Sequence, residues 1–135
     1  MSDDKVRRGE IYYADIPEEV IGSEQAGVRP IVIIQAEWLN RTSTNVKFAV
    51  ITSKLKRLDL PTHYLLPKLS GLEKRSMVLG EYTNTMDKSR LIKYCCRLSE
   101  KVMKYVDRAV RASIKDSKSK RKKRKHKVKK KSRMR

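Results

Sequence analysis

The sequence predicts a mainly β protein: an antiparallel, barrel-like sheet with one helix packed on it near the C-terminal end. Three observations carry that expectation. Short apolar runs of strand length, parted by glycine, proline and polar residues, fill the first two-thirds of the 135-residue chain. After Ser99 the apolar period changes from two to three or four. No internal repeat appears, and a chain of this length has room for one modest core.

The elements follow in order. Glu10–Asp15 (EIYYAD) is aromatic and β-branched, which favours a strand. Residues Ile16–Val28 carry proline, acids and glycines and read as a long loop. Pro30–Gln35 (PIVIIQ) is short and continuously apolar, as a buried strand would be. In Val46–Ser53 (VKFAVITS) alternation sets Val46, Phe48, Val50 and Thr52 on one face. Further strands are expected at Thr62–Leu66 and Ser76–Tyr82, separated by the turn-like Lys68–Gly71. Ser99 is suited to cap a helix, with Glu100 in its positive first turn. Val102, Met103, Val106, Ala109, Val110 and Ile114 then form one apolar stripe.

Charge divides the chain in two. The formal net charge is +19, and from Lys115 onward fourteen Lys/Arg residues face a single acid. The run KSKRKKRKHKVKKKSRMR has nothing to bury, so the expected organisation is a domain over 1–114 and a disordered basic tail over 115–135. Such an excess of positive charge calls for a polyanionic partner, nucleic acid before an acidic protein or a membrane surface. A tail of this kind would bind phosphates with strong salt dependence and little sequence preference. The opening MSDDKVRRGEIYY lacks the apolar stretch of a signal peptide, and no run approaches membrane-spanning length. The adjacent Cys95 and Cys96 would point to opposite faces of a strand, which favours neither a local disulfide nor a zinc site. A reducing cytoplasm is the expected compartment.

Elimination narrows the chemistry. The two histidines are His63, expected on the surface of a strand, and His126 in the tail, so a paired-histidine nuclease site is not expected. No metal-ligand spacing, Walker motif or dinucleotide-binding glycine motif is present, and no cofactor is implied. Arginine, threonine, serine, carboxylates and backbone groups remain. That set suffices for cutting RNA, which carries its own nucleophile in the 2′-hydroxyl. The enzyme need only align that group, stabilise the phosphorane charge and move protons. Metal-independent cleavage to a 2′,3′-cyclic phosphate and a 5′-hydroxyl is the expected reaction. Arg29 fits as the charge stabiliser, since its planar fork stays charged and donates bidentately. Two readings of Glu24 stay open: a base folded over the substrate, or a solvated loop carboxylate.

The segments RRGEIYYAD (7–15), GSEQAGVRPIVIIQ (22–35), AVITS (49–53), LPTH (60–63) and TMDKSRL (85–91) together resemble the MazF/PemK family of toxin endoribonucleases. The resemblance covers residues 7 to about 114, and its most specific part is GSEQAGVRP followed by the I-T-S strand end. It implies an SH3-like antiparallel barrel with a C-terminal helix, usually a homodimer. It also implies a toxin of a type II toxin–antitoxin pair that cuts single-stranded RNA at a short motif without a metal. The family's catalytic arginine falls on Arg29 and its threonine on Thr52, and the loop glutamate of some members on Glu24. Ser53, Gln25, Tyr82 and Asn84 are the expected RNA contacts, with two readings of Tyr82 open: a ring stacked on an unpaired base, or a tyrosine packed within its strand. The implied protein partner is a cognate antitoxin that lays an acidic, flexible segment across the RNA groove.

Two departures bear on recognition. Many relatives carry asparagine where this chain has Ala36, and many read E-Q-I-R-T where it has Glu81-Tyr82-Thr83-Asn84-Thr85. No cut-site motif is therefore carried over. The alternative function on the same fold is a non-catalytic module that binds RNA, the ribosome or gyrase.

Overall fold

The computed structural model describes residues 6–69 and 71–115. The basic tail expected from Lys115 lies, apart from that lysine, outside the described residues. Six strands form one antiparallel sheet: β1 (Glu10–Ile16), β2 (Gly27–Ile33), β3 (Asn45–Thr52), β4 (His63–Leu65), β5 (Met77–Asp87) and β6 (Leu91–Arg97), in the order β4-β5-β3-β2-β1-β6. Among the described residues three α-helices accompany it, α1 (Glu18–Ile21), α2 (Glu37–Thr42) and α3 (Glu100–Ala112), with a 3-10 turn at Lys88–Arg90. The expected class, mainly β with a C-terminal helix, is the class observed.

Alternation along the central strand builds two cores, one on each face. Val46, Phe48 and Val50 enter a cluster with Ala14, Ile31 and Ile33, whereas Ala49 and Ile51 face Ile11, Val32 and Val78. All three residues of the first set are fully buried, and each such side chain contributes about 1.5–3 kcal/mol. Helix α3 closes the second cluster with Met103 and Val106. Its N-cap is the one expected: Ser99 Oγ accepts from the Val102 N–H at 3.2 Å. Ile114 departs from the expected stripe, because the helix ends at Ala112 and Ile114 is exposed. Gly80 sets how close α3 comes, since a Cβ there would overlap the carbonyl of Ala109.

Other expectations need correcting. The segment 16–28 is not wholly a loop: it contains α1, and β2 begins at Gly27, ahead of the proline, and stops at Ile33 rather than Gln35. Strand β4 covers only His63–Leu65, and β5 runs five residues past Tyr82. Cys95 and Cys96 do not point apart. Ile11 pairs with Cys96 but Tyr12 with Tyr94, so Cys95 is the extra residue of a β-bulge, which brings the two free thiols within 3.7 Å. His63 is buried rather than on the surface. Among the described residues no helix is long and apolar enough to cross a membrane.

Candidate active site

Register creates the site. Antiparallel β2 and β3 pair Ile31 with Val50 as their last rung. Two residues further along the same register, Arg29 comes opposite Thr52. Pro30 lies between and has no N–H to donate, so the ladder stops there. On its other side Arg29 is held to Ala14 of β1, and Thr52 to Met77 of β5. Two residues twenty-three apart in sequence are thus carried to the ends of neighbouring strands.

A cleft of about 410 Å³ opens there. Its walls include Arg29, Thr52, Ser53, Glu24 and Gln25, five of the seven residues expected in the site. Arg29 donates from Nη1 to Gln25 Oε1 at 2.9 Å, while its Nε is buried and, among the described residues, meets no acceptor. A buried donor left unpaired costs about 1–3 kcal/mol, so this guanidinium is kept short of acceptors at the mouth of a cleft. Thr52 Oγ1 accepts the Lys54 N–H at 3.1 Å, which leaves its hydroxyl proton to donate elsewhere. Both side chains present donors where an anion would sit.

Tyr82 and Asn84, the other two expected site residues, do not line the cleft but fasten its lid. Tyr82 donates from Oη to Glu24 Oε1 at 3.1 Å, and Asn84 Nδ2 donates to the carbonyl of Val20. The hydrogen bond to Glu24, with partial burial, raises the Tyr82 pKa above its ordinary value. Together they tie the segment between β1 and β2 to β5 and hold the Glu24 carboxylate at the cleft.

Sequence reasoning missed several lining residues. Tyr13, Lys54, Lys56, Glu73 and Lys74 also face the cleft, so four cations stand against two carboxylates. The cluster Lys54-Leu55-Lys56-Arg57 directly after the I-T-S strand end was the available signal. Tyr13 was hidden in a strand, where β-propensity alone explains an aromatic. Among the described residues no group of three or more His, Cys, Asp or Glu is arranged to hold a metal ion.

Residues 7–114 match the family model described as PemK-like, MazF-like toxin of type II toxin–antitoxin system. The chain is 40% identical over 110 residues to Endoribonuclease EndoA of Bacillus subtilis (strain 168), covering 81% of this chain and 94% of that protein. It is 42% identical over 110 residues to Endoribonuclease MazF of Staphylococcus saprophyticus, covering 81% and 91%. Among solved structures, a mycobacterial endoribonuclease in complex with its cognate antitoxin superposes with a TM-score of 0.67 at 19% identity, covering 81% of this chain and 94% of that one. At that identity the likeness speaks for the fold.

Proposed function

The chain belongs to the PemK-like, MazF-like toxin family of type II toxin–antitoxin systems, and from that premise we propose that it is a metal-independent endoribonuclease acting on single-stranded RNA, with Arg29 and Thr52 as its catalytic pair. One observation carries the reading: the β2–β3 register sets a guanidinium and a hydroxyl, each with donors to spare, across one cleft.

In the proposed reaction the 2′-hydroxyl attacks the adjacent phosphorus in line and the 5′-oxygen leaves. The products are a 2′,3′-cyclic phosphate and a 5′-hydroxyl end. Charge gathers on the non-bridging oxygens as the phosphorane forms, and Arg29 and the Thr52 hydroxyl meet it with hydrogen bonds. Glu24, aimed by Tyr82, takes the 2′-hydroxyl proton, and the departing 5′-oxygen takes a proton from water to become the 5′-hydroxyl. Gln25 acts behind Arg29, since its buried amide oxygen fixes the guanidinium. Lys54, Lys56 and Lys74 attract the neighbouring phosphates. The same cations suit an acidic antitoxin segment, which would inhibit by occupying the cleft, and a homodimer is the proposed working form. The basic run beyond residue 115 adds affinity without sequence preference.

The test is cleavage of a mixed-sequence RNA in EDTA by the full chain, with analysis of the new ends. Cyclic phosphate and 5′-hydroxyl ends are expected, and cleavage should collapse in both Arg29→Ala and Thr52→Val. Activity that disappears on chelation, or survives in both variants, overturns the mechanism. RNA binding with no cleavage of any substrate would favour the non-catalytic module.

A further inference from the structure

The segment between β3 and β4 carries Lys54 and Lys56 into the cleft, yet contains no helix or strand to hold it. At its far end the Gly80 N–H donates to the Thr62 carbonyl at 2.7 Å, and nearer the lysines one side chain ties it to the sheet. His63 Nδ1 faces two successive backbone carbonyls, those of Lys56 at 3.1 Å and Arg57 at 3.0 Å. Its Nε2 faces Glu81 Oε2 of β5 at 2.9 Å. Two consecutive carbonyls converge on one nitrogen only because Arg57 is bent into the left-handed region, with φ at +45°. For a residue other than glycine that conformation costs about 1–2 kcal/mol, and it persists where surrounding contacts impose it.

We infer that His63 is a positioning residue: gripped by Glu81, it chelates the carbonyls of Lys56 and Arg57 and thereby sets Lys54 and Lys56 against the phosphates flanking the scissile bond. The inference rests on the proposed nuclease reading for its substrate, though not for the clamp itself. Nδ1 meets only acceptors and must carry a proton. Nε2 meets a carboxylate, which also calls for a proton, so the charged imidazolium satisfies all three partners. The charged groups that face it are Glu81 on β5 and Asp59 within the segment, whose own side chain is paired with Arg57 at 2.9 Å. Tyr82 follows Glu81 directly, so one stretch of β5 steadies both flanks of the cleft: Glu81 one wall through His63, Tyr82 the other through Glu24.

The protonation has a direction. Burial pulls the His63 pKa down, but the bonds to Glu81 and to the Lys56 and Arg57 carbonyls outweigh it and raise it above the ordinary histidine value. The clamp is therefore complete below the ordinary range and is lost as pH rises through the raised pKa.

Glu81→Gln tests this with little risk to folding, because the side chain lies at the surface and the change keeps its shape. Two readouts are needed. Amide hydrogen exchange over residues 54–62, measured without RNA, reports the clamp. Affinity for a labelled 2′-O-methyl oligonucleotide, which is not cleavable by 2′-hydroxyl attack, reports the lysines. Glu81→Gln should speed exchange in that segment, start the loss at lower pH, and weaken the oligonucleotide about tenfold, while kcat on cleavable RNA stays within about twofold. Lys56→Ala should weaken binding in the same way, and the double variant should be little worse than the weaker single one. Unchanged exchange, or effects on affinity that multiply in the double variant, overturn the proposal. A wild-type chain that cuts no RNA would defeat the nuclease reading alone, since exchange and oligonucleotide affinity are measured without cleavage.

Discussion

The two flanks of the cleft are built differently. On one, Arg29 and Thr52 stand on adjacent strands, and each strand is paired on its far side as well. On the other, Glu24 sits in a connecting segment held to β5 by the hydrogen bonds from Tyr82 and Asn84. Moving Arg29 relative to Thr52 means disturbing a ladder over a packed core, whereas moving the Glu24 carboxylate means releasing one exposed bond, that from Tyr82, worth about 0.5–1.5 kcal/mol, while its neighbour Gln25 stays bonded to Arg29. The groups proposed to meet the phosphorane are thus fixed before substrate arrives, and the carboxylate proposed to move a proton is free to adjust. Preorganisation sits where charge develops.

The largest effect should come from the rigid flank. Arg29→Ala removes the only arginine that lines the cleft among the described residues and is expected to lower kcat about 10²–10³-fold, measured as initial cleavage rate at saturating RNA. Melting temperature should barely change, since the strand pairing is by backbone. Arg29→Lys keeps charge but loses the fork, and should recover only part of the loss. If Arg29→Ala costs no more than Glu24→Gln, the two flanks are equivalent and the comparison breaks.

The strand side of this contrast was legible in the sequence; on the other side Glu24, Tyr82 and Asn84 were named as site residues, but the contacts that join them were not foreseen. Val46, Phe48 and Val50 announced β3 by alternation, and Arg29 and Thr52 each sat inside a distinctive motif. Helix α2 gave no such signal: it has six residues and Ala36 at its N-cap, with no capping side chain. It is instead tied down by buried Asn40, which exchanges hydrogen bonds with Gln35. Strand β6 was invisible for a related reason, since an edge strand broken by a bulge shows no clean alternation. His63 was misjudged because its burial depends on Glu81, a partner brought beside it only by the β4–β5 pairing. Short-range periodicity reports which face is apolar; it does not report which distant side chain will satisfy a polar one.

A middle-sized effect should come from the joint between the flanks. Gly80 lies where β5 departs from regular pairing with β3, as Val50 pairs with Leu79 and Ala49 with Thr83. Gly80→Ala would drive a methyl group into the Ala109 carbonyl, forcing α3 off the sheet at a cost of about 1–3 kcal/mol. The expected readout is a melting temperature lower by roughly 5–15 °C. The clamps from Glu81 and Tyr82, two neighbouring residues on β5, should loosen with it, while Arg29 and Thr52 keep their register. Cleavage per folded molecule should fall about tenfold. A loss as deep as that of Arg29→Ala would mean that the rigid flank depends on α3 after all.

The smallest effect is the most discriminating, because Tyr82 admits two roles. If its task is to aim Glu24, the hydroxyl matters; if it stacks on a base, the ring matters. Tyr82→Phe removes the 3.1 Å hydrogen bond to Glu24 and keeps the ring. An aiming role predicts a fall in kcat of about fivefold with KM unchanged, the worth of one hydrogen bond to a charged group at an exposed position. A stacking role predicts no change in Tyr82→Phe but a raised KM in Tyr82→Ala. The hydrogen bond favours aiming, and Asn84→Ala offers an independent check, since releasing Val20 should loosen the same segment without touching Glu24. Equal, kcat-only losses in Tyr82→Phe and Asn84→Ala would locate the mobile flank's contribution in the placement of one carboxylate.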